Sequence, residues 1–314
     1  MTDQAITAFN VDLACDMMCA KCEKFFDCES PNKRDDVFIG RMAQARETLK
    51  DIKHKIIVVG GKGGVGKTLL TANLATAFAM LGKKVAILDQ VFDGPCIPRM
   101  MGVEGKGIQL VGEKLEPIEA FLGIMVVSMG LILAEDDVVT WFGDMKRNAT
   151  EEFLTSVNYG KRDYLVVDVP AGTSADTTNV LRYIPELDGA LIVTIPSEVS
   201  QAVAHKAAVV CRKAGIDNYG VVENLSGFTC PKCHKQINIM QQGGGERLAK
   251  NLGVPFLGHI PMDKRVAECA DQGTPFVYKY PDWEPSKMLL KVAREIDEKL
   301  SKKKFIDQLE RGRT

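Results

Sequence analysis

Three groups of residues in this 314-residue chain have the types and spacing that chemistry needs. The first is GGKGGVGKT, Gly60 to Thr68, placed directly after the apolar run IIVV and before the helix-forming run LLTANLATAFAMLG. Here Gly61, Gly63, Gly64 and Gly66, with Val65 among them, let backbone N–H groups turn inward around phosphates. Lys67 adds a point charge and the Thr68 hydroxyl is a magnesium ligand, all at a helix N-terminus. Strand, spacing, Lys-Thr pair and helix agree, so a Mg2+–ATP site is expected rather than a glycine-rich turn without ligand. The second group is a pair of acids at strand ends, Asp89 after KKVAIL and Asp168 after DYLVV. Each could cap its following loop, but paired beside a phosphate loop they suit the oxygen shell of magnesium.

The third group is sulfur. Six of nine cysteines fall in two tight sets. Cys230 and Cys233 form a C-x2-C knuckle, two thiolates able to hold one metal or one cluster edge, which is half a site. The same pair from a second subunit would complete a bridging 4Fe-4S cluster on a dimer axis. A structural zinc completed by His234 is the alternative, and a redox dithiol fits less well so far from the first strand. Cys15, Cys19, Cys22 and Cys28 supply four thiolates within a short stretch, enough for a complete 4Fe-4S cluster, with zinc left open. Cys96, Cys211 and Cys269 stand alone and read as packing residues.

These groups need a frame. Strand-like runs at 55–59, 84–88, 124–129, 164–169, 189–195, 219–223 and 255–260 alternate with helical patterns, which predicts an α/β fold: a doubly wound, mostly parallel sheet with helices on both faces. Such sheets bind ligands at the carboxyl ends of their strands, where the glycines and acids fall. We divide the chain into a Cys-rich segment (1–36), a linking helix (37–54), an ATPase domain (55–285) and a charged C-terminal helix (286–314).

Forty basic against forty-one acidic residues leave a formal net charge of −1, which gives no broad field for nucleic acid or an anionic membrane. The N-terminus lacks a basic region followed by a long apolar one, so a cytoplasmic location is expected. The longest mainly apolar stretch, 123–134, is too short for a membrane span.

Lys62, a second lysine inside the phosphate loop, resembles the deviant Walker A signature of the MinD, ParA and nitrogenase iron protein superfamily. Further runs are GPCIPRMMG (94–102), VENLSGFTCPKC (222–233) and GGGERLAKNLGVPFLGHIPMDKRV (243–266). With these, the chain from about 55 to 280 resembles the Mrp/ApbC family of iron–sulfur carrier ATPases, in its branch with N-terminal cysteines. The resemblance implies that Lys62 reaches the partner's nucleotide across a homodimer, that Asn224 contacts adenine, and that clusters pass to apo iron–sulfur proteins, with a related ATPase as an alternative partner subunit.

Two departures matter. Cys15 lies closer to Cys19 than that branch's spacing implies. The family's switch motif D-x-D-x-x-G-P-S reads DQVFDGPC here, so Val91 replaces the aspartate that positions the attacking water. Valine accepts no proton, and Asp93, two residues on, is the nearest substitute. ATP binding with slow hydrolysis is therefore expected. Two other functions are weighed: an electron donor like the nitrogenase iron protein, whose ligands sit on separate loops, and a MinD-like switch with structural zinc, for which the C-terminal helix lacks a clean apolar face.

Overall fold

The computed structural model describes residues 39–133, 137, 140–141, 143–230, 232–233, 236–237 and 243–311. Cys15, Cys19, Cys22, Cys28 and His234 lie outside them. In chain order the elements are α1 (Ile39–Leu49), β1 (Ile52–Gly60), α2 (Lys67–Met80), β2 (Val85–Asp89), α3 (Ile97–Met100), the hairpin β3 (Gln109–Val111) and β4 (Lys114–Glu116), β5 (Ile118–Glu119), β6 (Met125–Val127) and α4 (Gly143–Thr155). They continue with β7 (Arg162–Asp168), α5 (Ala175–Tyr183), β8 (Gly189–Thr194), α6 (Glu198–Lys213), β9 (Asn218–Glu223), the pair β10 (Phe228–Thr229) and β11 (Gln236–Ile237), α7 (Gly244–Leu252), β12 (Phe256–His259), α8 (Lys264–Asp271), α9 (Phe276–Lys279) and α10 (Glu284–Arg311).

One eight-stranded sheet in the order β12-β9-β8-β1-β7-β2-β6-β5 organises the fold. Every pairing in it is parallel except β5 with β6. Its central strands are apolar on both sides, as a parallel sheet covered on both faces requires. On β1, Ile56 and Val58 enter one core with α2, α9 and α10, whereas Ile57 and Val59 enter the other with α1, α4 and α6. The two-residue alternation of a strand thus supplies both layers from one segment.

β1 starts at Ile52, three residues before the strand-like run at 55–59, because Ile52 and His54 already pair with Arg162 and Tyr164. β6 is short: its chain leaves the sheet at Ser128, whose hydroxyl accepts from the Gly130 N–H and starts a 3-10 turn. Neither the β3–β4 hairpin nor the antiparallel edge β5 carries a long apolar signal. No helix among the described residues is long and apolar enough to cross a membrane.

Candidate functional site: a nucleotide loop beside a cysteine knuckle

β1 delivers the glycine-rich loop to the carboxyl edge of the sheet. Gly66, the residue before α2, has φ 96°, a left-handed conformation that favours glycine. A Cβ there would also lie 2.1 Å from the Asn224 Nδ2. Gly61 has no room either, since its Cβ would meet the Ala204 nitrogen at 2.2 Å. Gly63 and Gly64 face open space, and Val65 is buried beneath the loop.

Lys67 is buried, and its ammonium donates to the Lys62 carbonyl at 3.3 Å. Burial lowers the Lys67 pKa while the nearby Asp168 opposes the shift, so a polyanion on the loop would relieve a desolvated cation. Lys62 is exposed and points no charge at its own loop through any described ion pair.

The two acids meet by register. Asp89 and Asp168 are Cα partners on adjacent β2 and β7. Asp168 accepts from Thr68 Oγ1 at 2.6 Å and from Thr71 Oγ1 at 3.2 Å. Asp89 accepts from Ser128 Oγ at 2.9 Å and from the Val91 N–H at 3.0 Å. Both carboxyls are fully buried, and desolvation raises both pKa values, that of Asp89 further because Asp168 adds its own charge. Two buried carboxyls on paired strand ends, one of them bonded to a threonine hydroxyl, are an oxygen donor set suited to Mg2+.

The switch segment after β2 packs against α4. Gln90 accepts from Thr150 Oγ1 at 2.7 Å, and Lys146 donates to Asp93 at 2.6 Å and to Asp176 at 3.2 Å. Lys146 therefore joins the segment after β2 to the one after β7. Val91 is half-buried, and Asp93, 62% exposed at its side chain, has its carboxylate engaged by Lys146. Sequence reasoning missed Lys146, Thr150 and Ser128. A serine near the end of the third strand-like run was the signal for Ser128; a lysine and a threonine on a helix carry none.

Across β8 lies β9. Asn224, at its end, donates from Nδ2 to the Val65 carbonyl at 3.0 Å, and its buried Oδ1 has no partner. Leu225 follows at φ 54°. Cys230 and Cys233 sit at the turn of the β10–β11 hairpin, in which Thr229 pairs with Gln236. Cys230 is half-buried and Cys233 exposed. The Cys230 thiol is held below its usual pKa by backbone N–H groups of Cys233 and Lys232, the arrangement that favours a thiolate ligand. Among the described residues, no set of three or more His, Cys, Asp and Glu side chains converges to hold a metal.

A family model described as ParA: NUBPL iron-transfer P-loop NTPase matches residues 51–297. This chain belongs to that family. An iron-sulfur cluster carrier protein of Methanocaldococcus jannaschii is 40% identical over 291 residues, covering 92% of this chain and 99% of its own length. One of Saccharolobus solfataricus is 42% identical over 249 residues, 79% of this chain and 84% of its own. Among solved structures, a nucleotide-binding protein of Archaeoglobus fulgidus in complex with ADP superposes with a TM-score of 0.67 at 34% identity, covering 76% of this NTPase and 93% of that chain. The cell division ATPase MinD of Pyrococcus furiosus, at 24% identity and a TM-score of 0.56 over 79% of this chain and 99% of its own, shares the fold. The iron-transfer NTPase described here thus has the doubly wound sheet that its glycines and strand-end acids imply.

Proposed function

We propose that this chain is an ATP-binding carrier that holds a 4Fe-4S cluster at Cys230 and Cys233 and delivers it to apo iron–sulfur proteins in the cytoplasm. One observation carries the reading: β9 and its extension join the nucleotide loop to the cysteine knuckle. Asn224 braces the Val65 carbonyl, and Cys230 follows six positions later in the chain, past the left-handed Leu225. A non-glycine residue held in that conformation stores backbone strain. Movement of the loop around nucleotide is thereby passed to the thiolates.

Gly61, Gly63, Gly64, Val65 and Gly66 would cradle the phosphates with backbone N–H groups, and Lys67 would neutralise them. Thr68, Asp89 and Asp168 would hold Mg2+, and the free Oδ1 of Asn224 suits the amino group of adenine. Lys62, exposed, would act on a second subunit's nucleotide.

Two thiolates are half a cluster site, so a second copy, or a related ATPase, supplies the rest, and the cargo sits on the axis between them. Cys15, Cys19, Cys22 and Cys28 are the donors for a second 4Fe-4S cluster. Val91 offers no group to orient water and Asp93 is tied to Lys146, so hydrolysis is slow. A slow clock suits a carrier whose bound state must last until a recipient arrives.

The test is anaerobic reconstitution, with iron, sulfide and zinc counted per subunit for the wild type, Cys230→Ala/Cys233→Ala and Cys19→Ala/Cys22→Ala. Separate decrements of iron and sulfide in the two variants support two clusters; zinc filling the sites with no cluster formed overturns the carrier reading.

A further inference from the structure

Helix α4 works on three sides. Lys146 and Thr150 meet the switch segment, while Glu151 pairs with Arg41 of α1 and the Thr155 carbonyl accepts from Thr48. The remaining stripe, Met145, Asn148, Ala149 and Glu152, has the i, i+3, i+4, i+7 spacing of one helix face. That stripe walls a groove of about 430 Å³. Phe153, also on α4, lines it too, together with Met129, Ile132 and Trp141 from the segments that precede the helix.

The lining is apolar, with Asn148 and Glu152 as its polar members, and Ile132 and Met145 are 47% and 49% exposed. Thioether and aromatic walls of this kind favour an aromatic occupant, through sulfur–ring and ring–ring contacts. An exposed apolar surface beside a functional segment marks a docking site.

The entry point of the chain indicates which occupant. Residues 1–38 join the fold at Ile39, and Arg41 is already at Glu151, in the middle of α4. At 100° per residue the groove stripe is about 110° around α4 from Glu151. The described chain therefore begins on the helix that packs against α4, one side round from the groove. The leading segment carries an aromatic pair, Phe25 and Phe26, between Cys22 and Cys28. Phe26 precedes Ile39 by thirteen residues, a reach of up to ~45 Å when extended.

We propose that the N-terminal segment of this same chain docks Phe25 and Phe26 in the α4 groove, seating Cys22 and Cys28 against the body of the NTPase. The site communicates with the nucleotide switch. Phe153, a groove wall, lies 6.0 Å ring to ring from Phe92 of the switch segment, and Trp141 lies 6.3 Å from it. Docking and switch position therefore share packed side chains. The contact needs no bound cluster, so it stands or falls independently of the carrier reading.

The experiment places a benzophenone-bearing phenylalanine at position 145 of the full-length chain, irradiates it and maps the product by mass spectrometry. The expected product is intramolecular, on the tryptic peptide 25–33. The variant Phe25→Ala/Phe26→Ala lowers its yield ~10-fold, with the thermal unfolding curve unchanged. A second reading uses Trp141 emission in a Trp283→Phe background, which shifts to longer wavelength when the two phenylalanines are removed. Attachment to residues 134–142, attachment to a second copy, or no attachment to 25–33 overturns the proposal, as does Trp141 emission indifferent to Phe25 and Phe26.

Discussion

The Lys146 ammonium lies 2.6 Å from the Asp93 carboxylate, on a side chain only 14% exposed. Asp176 of α5 approaches the same ammonium at 3.2 Å, so one cation holds two anions from the connections that follow different strands. Replacing it with an isosteric apolar chain, Lys146→Met, leaves those anions facing each other. Backbone amides of residues 90–94 are expected to exchange ~5-fold faster, the effect of losing about 1 kcal/mol of local stability. Hydrogen exchange of the nucleotide-free protein measures it; unchanged protection would mean that the ion pair holds nothing.

Restoring an aspartate to the switch is expected to restore chemistry. Val91→Asp should raise ATP turnover ~100-fold, within the range of a positioned general base. Asp93→Asn should leave turnover where it is, because Lys146 already occupies that carboxylate. Steady-state phosphate release on the two variants decides between them.

The phosphate loop has a separable energetic role. Lys67→Ala removes a buried cation whose charge-assisted hydrogen bonds to phosphate are worth about 1.5–3 kcal/mol, so ATP affinity should fall ~10–100-fold. Gly66→Ala should weaken ATP binding too, for a different reason. It places a side chain at φ 96°, against Asn224, at a backbone cost of about 1–2 kcal/mol. Calorimetric titration with ATP checks both, and a Gly66→Ala protein that binds normally would remove Asn224 from the site.

The acidic pair makes the ligand-free protein sensitive to pH. Burial raises Asp89 from 3.8 to about 8 and Asp168 from 3.8 to about 6. Over that window the folded state binds more protons than the unfolded chain, so this pair's contribution to stability falls as pH rises from about 4 to about 8. Asp89→Asn removes the buried charge and is expected to raise the melting temperature at pH 8 by ~2–4 °C for each kcal/mol recovered. Mg2+ with nucleotide should abolish the difference by neutralising the wild-type pair. Melting curves at pH 5 and pH 8, with and without Mg-ATP, give four numbers that must fit this pattern.

Much of the site is legible in sequence because its parts are local. Gly60 to Thr68 announces a phosphate loop by itself, since each of its residues serves a backbone or charge requirement of the same ligand. Asp89 and Asp168 are readable as strand ends, but their mutual register is a fact of the sheet. Lys146 shows the limit. A lysine on a helix is an ordinary solvated residue until the fold brings Asp93, 53 positions away, and Asp176, 30 positions away, to its ammonium. The β3–β4 hairpin escaped for a related reason: with Gln109, Leu110 and Val111 all exposed, it has no buried face to impose alternation.

The register of β2 on β7 gives the nucleotide a part in assembly. Side chains alternate across a strand, so a one-residue slip of β2 would turn the Asp89 carboxyl away from its register partner Asp168 into the opposite layer. A slipped molecule keeps a hydrophobic sheet but has no magnesium shell. On the proposed reading of the site, Mg-ATP would proofread strand alignment, adding about 2.7 kcal/mol at a hundredfold excess over its dissociation constant only to molecules whose two acids have met. A newly made chain in an ATP-rich compartment would then be selected for correct pairing before it ever meets a cluster.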